Sequence, residues 1–398
     1  MPQENQNNER RSEDLCPRPD VPPAMPTEPL VTPIYQAAVY RCDDPDQADS
    51  LLSGAQRGYV YSRDANPNSD LLAERVRGLH GAERAVTCGS GMAACAAIAL
   101  AHLTSGDHVL LGDQMYGRTQ GLFEKELVRL GVTSARVDAC DAAAVARAMT
   151  PRTKLVVCET ITNPLVRVVD IAALAQVAER GGARLVVDNT FASPVLCRPL
   201  ELGAHVVFES LTKIMNGHSD VLLGVVCGSS AGWERMTGVV ATYGLSAPPF
   251  DCWLAARGIG TLALRAEKAS TNALAAAEIL AERSECAAVY YPGLAKHPDH
   301  ELARRQFAGR FGSMLSFTLA GGSAAAERFI HAAKSIPFCP SLGDLSTTLS
   351  HPESTSHRGL TPEQRAALGI TGGTIRLSVG IESPEAIVAA LAEGLAAV

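Results

Sequence analysis

The stretch Leu185-Val-Val-Asp-Asn-Thr-Phe-Ala-Ser-Pro194 opens as a short apolar run and stops abruptly at Asp188. A strand buried on both faces of a parallel sheet has this pattern, with its carboxyl end opening into a crevice. Ligands of open α/β sheets sit at such ends. The next apolar run, Val206-Val-Phe208, leads into Glu209-Ser-Leu-Thr-Lys-Ile-Met-Asn-Gly-His-Ser-Asp220, which sets Ser210, Thr212 and Lys213 within four residues. An acid at one strand end and two hydroxyls beside a lysine at the next suit a ligand with a pyridine nitrogen, a phosphate and an aldehyde. Those groups belong together in pyridoxal 5'-phosphate.

Outward from this pair, short apolar runs alternate with helical stretches from about residue 80 to about 230. That is the βαβ signature of a mainly parallel sheet with both faces covered. Ala82-Glu-Arg-Ala-Val-Thr-Cys-Gly-Ser-Gly-Met92 reads as strand, glycine turn and helix start, an arrangement that binds anions through exposed N–H groups and the helix dipole. Its Gly89-x-Gly91-x-x-Ala94, with Asp113 ending the next strand, also fits a dinucleotide fingerprint, so a nicotinamide oxidoreductase is a competing reading. That reading leaves Asp188 and the Ser-x-Thr-Lys segment without a role. Leu155-Val-Val-Cys-Glu-Thr-Ile-Thr-Asn-Pro164 is another buried strand ending in polar residues, followed by a helix over Ile171–Arg180, and Val221–Cys227 supplies a strand after the lysine.

On the amino-terminal side, the chain is irregular to Gly58, and Tyr59-Val-Tyr-Ser-Arg-Asp-Ala-Asn-Pro-Asn68 reads locally as a turn before a helix around Ser69–Gly78. Beyond Pro248 the text is helical, with a long alanine-rich segment from Leu262 to Ala281. Gly312–Leu319 and Thr374–Val379 alternate as half-buried strands do, and a helix over Glu385–Ala396 follows. The expected organisation is an amino-terminal tail and arm (1–60), a large α/β domain (61–264) and a small α+β domain (265–398).

With 398 residues, 46% hydrophobic and 19% charged, the chain has ample core for more than one domain. A formal charge of −7 gives no reason to expect nucleic acid or an anionic membrane as partner. No apolar run approaches the roughly 18 residues of a membrane helix. The first 33 residues are polar and proline-rich without an apolar signal region, and are expected to be disordered at their start. Eleven scattered cysteines form no metal pattern. Cys88, Cys158 and Cys227 sit in apolar runs as small hydrophobes, which points to the cytoplasm.

Asp188-Asn-Thr-Phe-Ala-Ser-Pro, Arg198-Pro-Leu-Glu-Leu-Gly-Ala, Ser210-Leu-Thr-Lys and Gly217-His-Ser-Asp resemble the Cys/Met-metabolism family of pyridoxal-phosphate enzymes. Its members include cystathionine γ-synthases, cystathionine γ- and β-lyases, methionine γ-lyases and O-acetylhomoserine sulfhydrylases. The similarity runs from about Pro33 to the carboxyl terminus. It implies a fold-type-I transferase, with Lys213 as covalent anchor and proton shuttle and Asp188 on the pyridine nitrogen. By the same resemblance Tyr116 stacks on the ring, Asn163 lies near the phenolic oxygen, and Thr190 contacts the ring side. Gly91, Met92, Ser210 and Thr212 hold the phosphate, while Tyr61 and Arg63 reach the phosphate of a neighbouring subunit. Arg376, Ser341 and Asn163 bind the substrate, and Tyr116 with Tyr61 could assist the leaving group. A homodimer with shared sites, assembled as a homotetramer, is implied.

Three positions depart from the family pattern. Asn68 replaces threonine, Ser346 replaces a glutamate of lyases and synthases, and Arg118 stands where those enzymes carry glycine and methionine γ-lyases carry cysteine. The expected reaction is elimination or replacement at Cγ of a sulfur-containing or O-activated amino acid. β-Elimination, methionine γ-lysis and O-acetylhomoserine sulfhydrylation stay open, as does a non-catalytic relative that keeps the cofactor.

Overall fold

A computed structural model describes residues 26–398. The expectation of disorder at the amino terminus lies outside the described residues. Residues 34–398 form one unit. Among them, seven strands make one sheet: β1 (Arg84–Cys88), β2 (His108–Gly112), β3 (Thr133–Val137), β4 (Thr153–Glu159), β5 (Arg184–Asp188), β6 (Val206–Ser210) and β7 (Gly224–Gly228), in the order β1-β7-β6-β5-β4-β2-β3. The pairs from β3 to β6 are parallel, while β7 runs antiparallel to both β6 and β1. The mainly parallel sheet expected from the sequence is present.

Why these runs are apolar throughout is visible in the side-chain alternation. Leu185 and Val187 enter one core with Leu174 and Ala178 of the helix Ile171–Arg180, together with Leu72, Val76, Cys252 and Ala255. Val186 and Phe208 enter a second core on the other face, with Ala94, Cys95 and Ile98 of the helix Gly91–His102. Helices cover both sides, so neither face can be polar. Cys88, Cys158 and Cys227 are fully buried in these cores, and the ten cysteines described are all free thiols.

A second sheet pairs β8 (Cys286–Tyr290), β9 (Met314–Leu319), β10 (Thr348–Ser350) and β11 (Thr374–Ser378) antiparallel in the order β10-β11-β9-β8. Leu315, Phe317, Ile375 and Leu377 pack under Phe329, Leu391 and the alanines of the helix Leu262–Ala281. The expectation of half-buried strands needs correction here. The opposite face is buried as well, because Ser316 Oγ donates to the Pro164 carbonyl at 2.6 Å and Ser378 Oγ accepts the Gly343 N–H at 2.7 Å. Alternation of polar residues marked hydrogen-bonded burial, not solvent.

The amino-terminal arm also differs from an irregular stretch. Pro45–Leu52 is a helix, started by Pro45 and capped by Asp44, whose side chain accepts the Gln47 N–H. It buries none of its residues, so no apolar periodicity announced it. The following helix runs from Pro67 to His80 and ends at Gly81 in the left-handed conformation that glycine adopts freely. No helix of the described residues is long and apolar enough to cross a membrane.

Candidate active site

The carboxyl ends of β4, β5 and β6 open into a cavity of about 230 Å³. Of the residues singled out in the sequence, Asp188, Thr190, Ser210, Thr212, Lys213, Gly91, Met92, Tyr116, Asn163, Ser341 and Arg376 all line it. Asp188 ends β5, and its Oδ1 accepts both the N–H and the hydroxyl of Thr190. The Thr190 hydroxyl in turn accepts the Ser210 N–H at 2.9 Å, which ties the ends of β5 and β6 together. Burial raises the Asp188 pKa, the bonds from Thr190 pull it back, and the Glu209 charge adds to the rise. Glu159 ends β4 in register with Asp188. One of its oxygens accepts the Tyr116 N–H at 2.7 Å; the other is buried and has no partner among the described residues. Desolvation first, and Asp188 second, hold its pKa well above the carboxylate range.

Lys213 follows β6, and its Nζ donates to Ser341 Oγ at 2.7 Å. Burial and the nearby Arg376 cation lower its pKa, which favours the neutral amine. Arg376 sits in β11 with only 4% of its surface exposed. Its Nη1 donates to Asn163 Oδ1 at 2.8 Å and its Nη2 to the Ser341 carbonyl at 3.2 Å, while Nε has no partner among the described residues. Burial lowers its pKa to about 10, with Glu159 acting in the opposite sense, so it stays cationic at neutral pH.

An anion cradle completes the wall. Ser90 caps the helix that begins at Gly91 by accepting the Ala93 N–H. First-turn N–H groups have no intrahelical acceptor. A Cβ on Gly91 would stand 2.9 Å from the Ser210 Cβ, and one on Gly224 2.2 Å from the Ser90 carbonyl oxygen. Only bare backbone lets the helix start approach Ser210 and the head of β7 this closely. Helix N–H groups with two hydroxyls, a buried acid, a lysine whose pKa burial lowers and an arginine with an unused Nε fit the phosphate, ring nitrogen, aldehyde and substrate carboxylate that pyridoxal phosphate chemistry requires.

Other predicted positions lie elsewhere. Tyr61 is exposed and Arg63 donates to the Ala241 carbonyl at 3.1 Å, so neither lines the cavity of its own chain. Arg118 and Ser346 are exposed and outside the lining. Sequence reading missed Ser356, Phe191, Leu222 and Thr119, which do line it. It also missed Arg265, a buried arginine that donates to the carbonyls of Ile214, Met215 and Gly258 and so fixes the loop after Lys213. No local pattern marks these residues; an arginine inside a helix most often reads as a solvated side chain.

A covered, mainly parallel sheet with lysine, aspartate and arginine converging at the strand ends defines a fold-type-I pyridoxal-phosphate enzyme. The chain belongs to the Cys/Met metabolism PLP-dependent enzyme family, which it matches over residues 21–396. It is 43% identical to the O-succinylhomoserine sulfhydrylase of Pseudomonas aeruginosa over 350 residues, covering 88% of this chain and 87% of that protein. It is 40% identical to the cystathionine gamma-lyase of Bacillus subtilis over 370 residues, covering 93% and 95%. Among solved structures, the cystathionine gamma synthase of Xanthomonas oryzae pv. oryzae in complex with cystathionine has a TM-score of 0.87 at 37% identity, with 92% of each chain covered.

Proposed function

We propose that the enzyme carries out elimination or replacement at Cγ of a sulfur-containing or O-activated amino acid. The observation that carries this reading is the convergence of the Lys213 amine, Asp188 and the Arg376 guanidinium on one cavity. The relatives above, a sulfhydrylase, a γ-lyase and a γ-synthase, support Cγ over Cβ. Bound pyridoxal phosphate supplies an electron sink for a carbanion at Cα. Asp188 keeps a proton at the ring nitrogen. Arg376 holds the substrate α-carboxylate with its guanidinium plane already oriented by Asn163 and Ser341. Lys213 Nζ would take the proton from Cα, give it up to the cofactor carbon and, neutral again, take one from Cβ. Tyr116 on the rim is the candidate acid for the leaving group.

Arg63 and Tyr61, exposed just past the arm of one protomer, would complete the phosphate site of its partner, which makes a homodimer the smallest active form and a homotetramer its expected assembly. The cytoplasm is the proposed location, and 61–264 and 265–398 the proposed domains. The test is Lys213→Ala with L-cystathionine, L-methionine, L-cysteine and O-acylated L-homoserines as substrates. The wild type should change its visible absorption with at least one and release 2-oxobutanoate, or a thioether when a thiol is supplied. Lys213→Ala should do neither; turnover retained in that variant would refute the mechanism, and pyruvate in place of 2-oxobutanoate from L-cystathionine would move the reaction to Cβ.

A further inference from the structure

Below the cavity floor lies a polar pair that the chemistry above does not use. His80, the last residue of the helix Pro67–His80, places Nε2 3.1 Å from Glu209 Oε1, and both side chains are completely buried. The ring is at ion-pair distance but is not aligned as a hydrogen bond. Glu209 is the penultimate residue of β6, directly before Ser210. Its Oε1 also accepts Asn189 Nδ2 at 2.8 Å, and Asn189 Oδ1 accepts the Thr160 hydroxyl at 2.6 Å. The polar chain His80–Glu209–Asn189–Thr160 thus crosses under the ends of β6, β5 and β4. Neither His80 nor Glu209 lines the cavity.

A buried polar pair is a poor source of stability, since an apolar pair of similar volume does as well. Its effect on neighbouring charges is another matter. Burial is the first cause that raises the proton affinity of Asp188 and of the Cys197 and Cys227 thiols, and the Glu209 charge adds to the rise in each. Glu159 adds a further carboxyl beyond Asp188. We propose that Glu209, braced by His80, is a positioning residue that fixes a negative field behind Asp188 and thereby retains the proton Asp188 shares with the cofactor's ring nitrogen. This holds whichever amino acid is the substrate.

The experiment titrates apoprotein with pyridoxal phosphate and reads the ¹⁵N shift of the ring nitrogen in labelled cofactor, for the wild type, Glu209→Gln, His80→Gln and the exchanged pair His80→Glu/Glu209→His. Glu209→Gln should bind roughly tenfold more weakly, the equivalent of one pKa unit at the ring nitrogen, with the shift moving toward unprotonated pyridine. His80→Gln, which keeps the acid, should keep a protonated ring and an affinity within about twofold of wild type. The exchanged pair keeps the contact but moves the acid away from Asp188, so it should behave like Glu209→Gln. Unchanged affinity and shift in Glu209→Gln overturn the proposal. So do equal weakening of both single variants and wild-type behaviour of the exchanged pair, the pattern of a merely structural contact. If Glu209→Gln does not fold, the exchanged pair decides alone: a protonated ring with wild-type affinity sinks the idea.

Discussion

Arg376 is held from two directions before any substrate arrives, by Asn163 and by the Ser341 carbonyl, and its ring-facing side lies 5.7 Å from the Phe191 centroid. A lysine could carry the charge but not the planar fork, and it could not span both partners. Arg376→Lys should therefore raise KM roughly ten- to a hundredfold, the equivalent of a lost charged hydrogen bond, with a smaller change in kcat. Steady-state kinetics on the wild-type substrate check this. His102 presents a second residue-scale effect. Burial lowers its pKa to about 4, with the Arg184 cation contributing. Between the ordinary histidine value and about 4, the unfolded chain binds a proton that the folded chain refuses, so this contribution is full above that window and is lost as pH falls through it. The melting temperature of wild type relative to His102→Gln should accordingly drop on acidification from pH 7 to pH 4.5; a pH-independent difference would remove His102 as the cause.

At the scale of elements, the site depends on how closely the start of the helix Gly91–His102 approaches β6 and β7. Gly224 heads β7 with no room for a side chain, since the obstacle is the Ser90 backbone. Gly224→Ala should cost roughly 1–3 kcal/mol by overpacking and weaken cofactor affinity by pushing the helix start outward. Thermal melts with and without pyridoxal phosphate measure both effects, and an unaltered melt would show that the cradle yields easily. The elements that bear the chemistry were largely legible. The helices Ile171–Arg180 and Leu262–Ala281 have the bounds their patterns suggested, and β5 ends at Asp188 as its abrupt polar stop implied. The helix Pro45–Leu52 was not legible, because a two-turn helix with no buried residue has no apolar stripe facing a core and shows only its cap.

At the scale of the whole molecule, Tyr61 and Arg63 stand just past the arm, in a segment bridged to Val39 and hydrogen-bonded to Ala38 and Tyr40, away from their own cavity. If each site borrows Arg63 from the partner, two inactive variants should complement. In a mixture of Lys213→Ala and Arg63→Ala chains, a mixed dimer contains one doubly defective site and one intact site. A two-fold dimer exchanged at random should then recover about a quarter of wild-type activity. Mixed chains that stay inactive after verified subunit exchange would place Arg63 outside the site.

The sequence by itself determined the parallel sheet, the acid at the end of β5 and the lysine segment after β6, because each is written in a few neighbouring residues whose pattern reflects local burial. The tertiary structure decided what meets them. Asn163 and Arg376 bond although they are 213 residues apart, and Lys213 and Ser341 although they are 128 apart. Polar alternation in β9 and β11 reads equally well as a solvated face or a buried one until Pro164, Asn163 and Ser341 are brought against it. The same holds for His80 and Glu209, each unremarkable in its own segment, which meet only because helix and strand pack across the sheet. Short-range periodicity records whether a residue is buried; only the packed chain records which polar partner makes that burial tolerable.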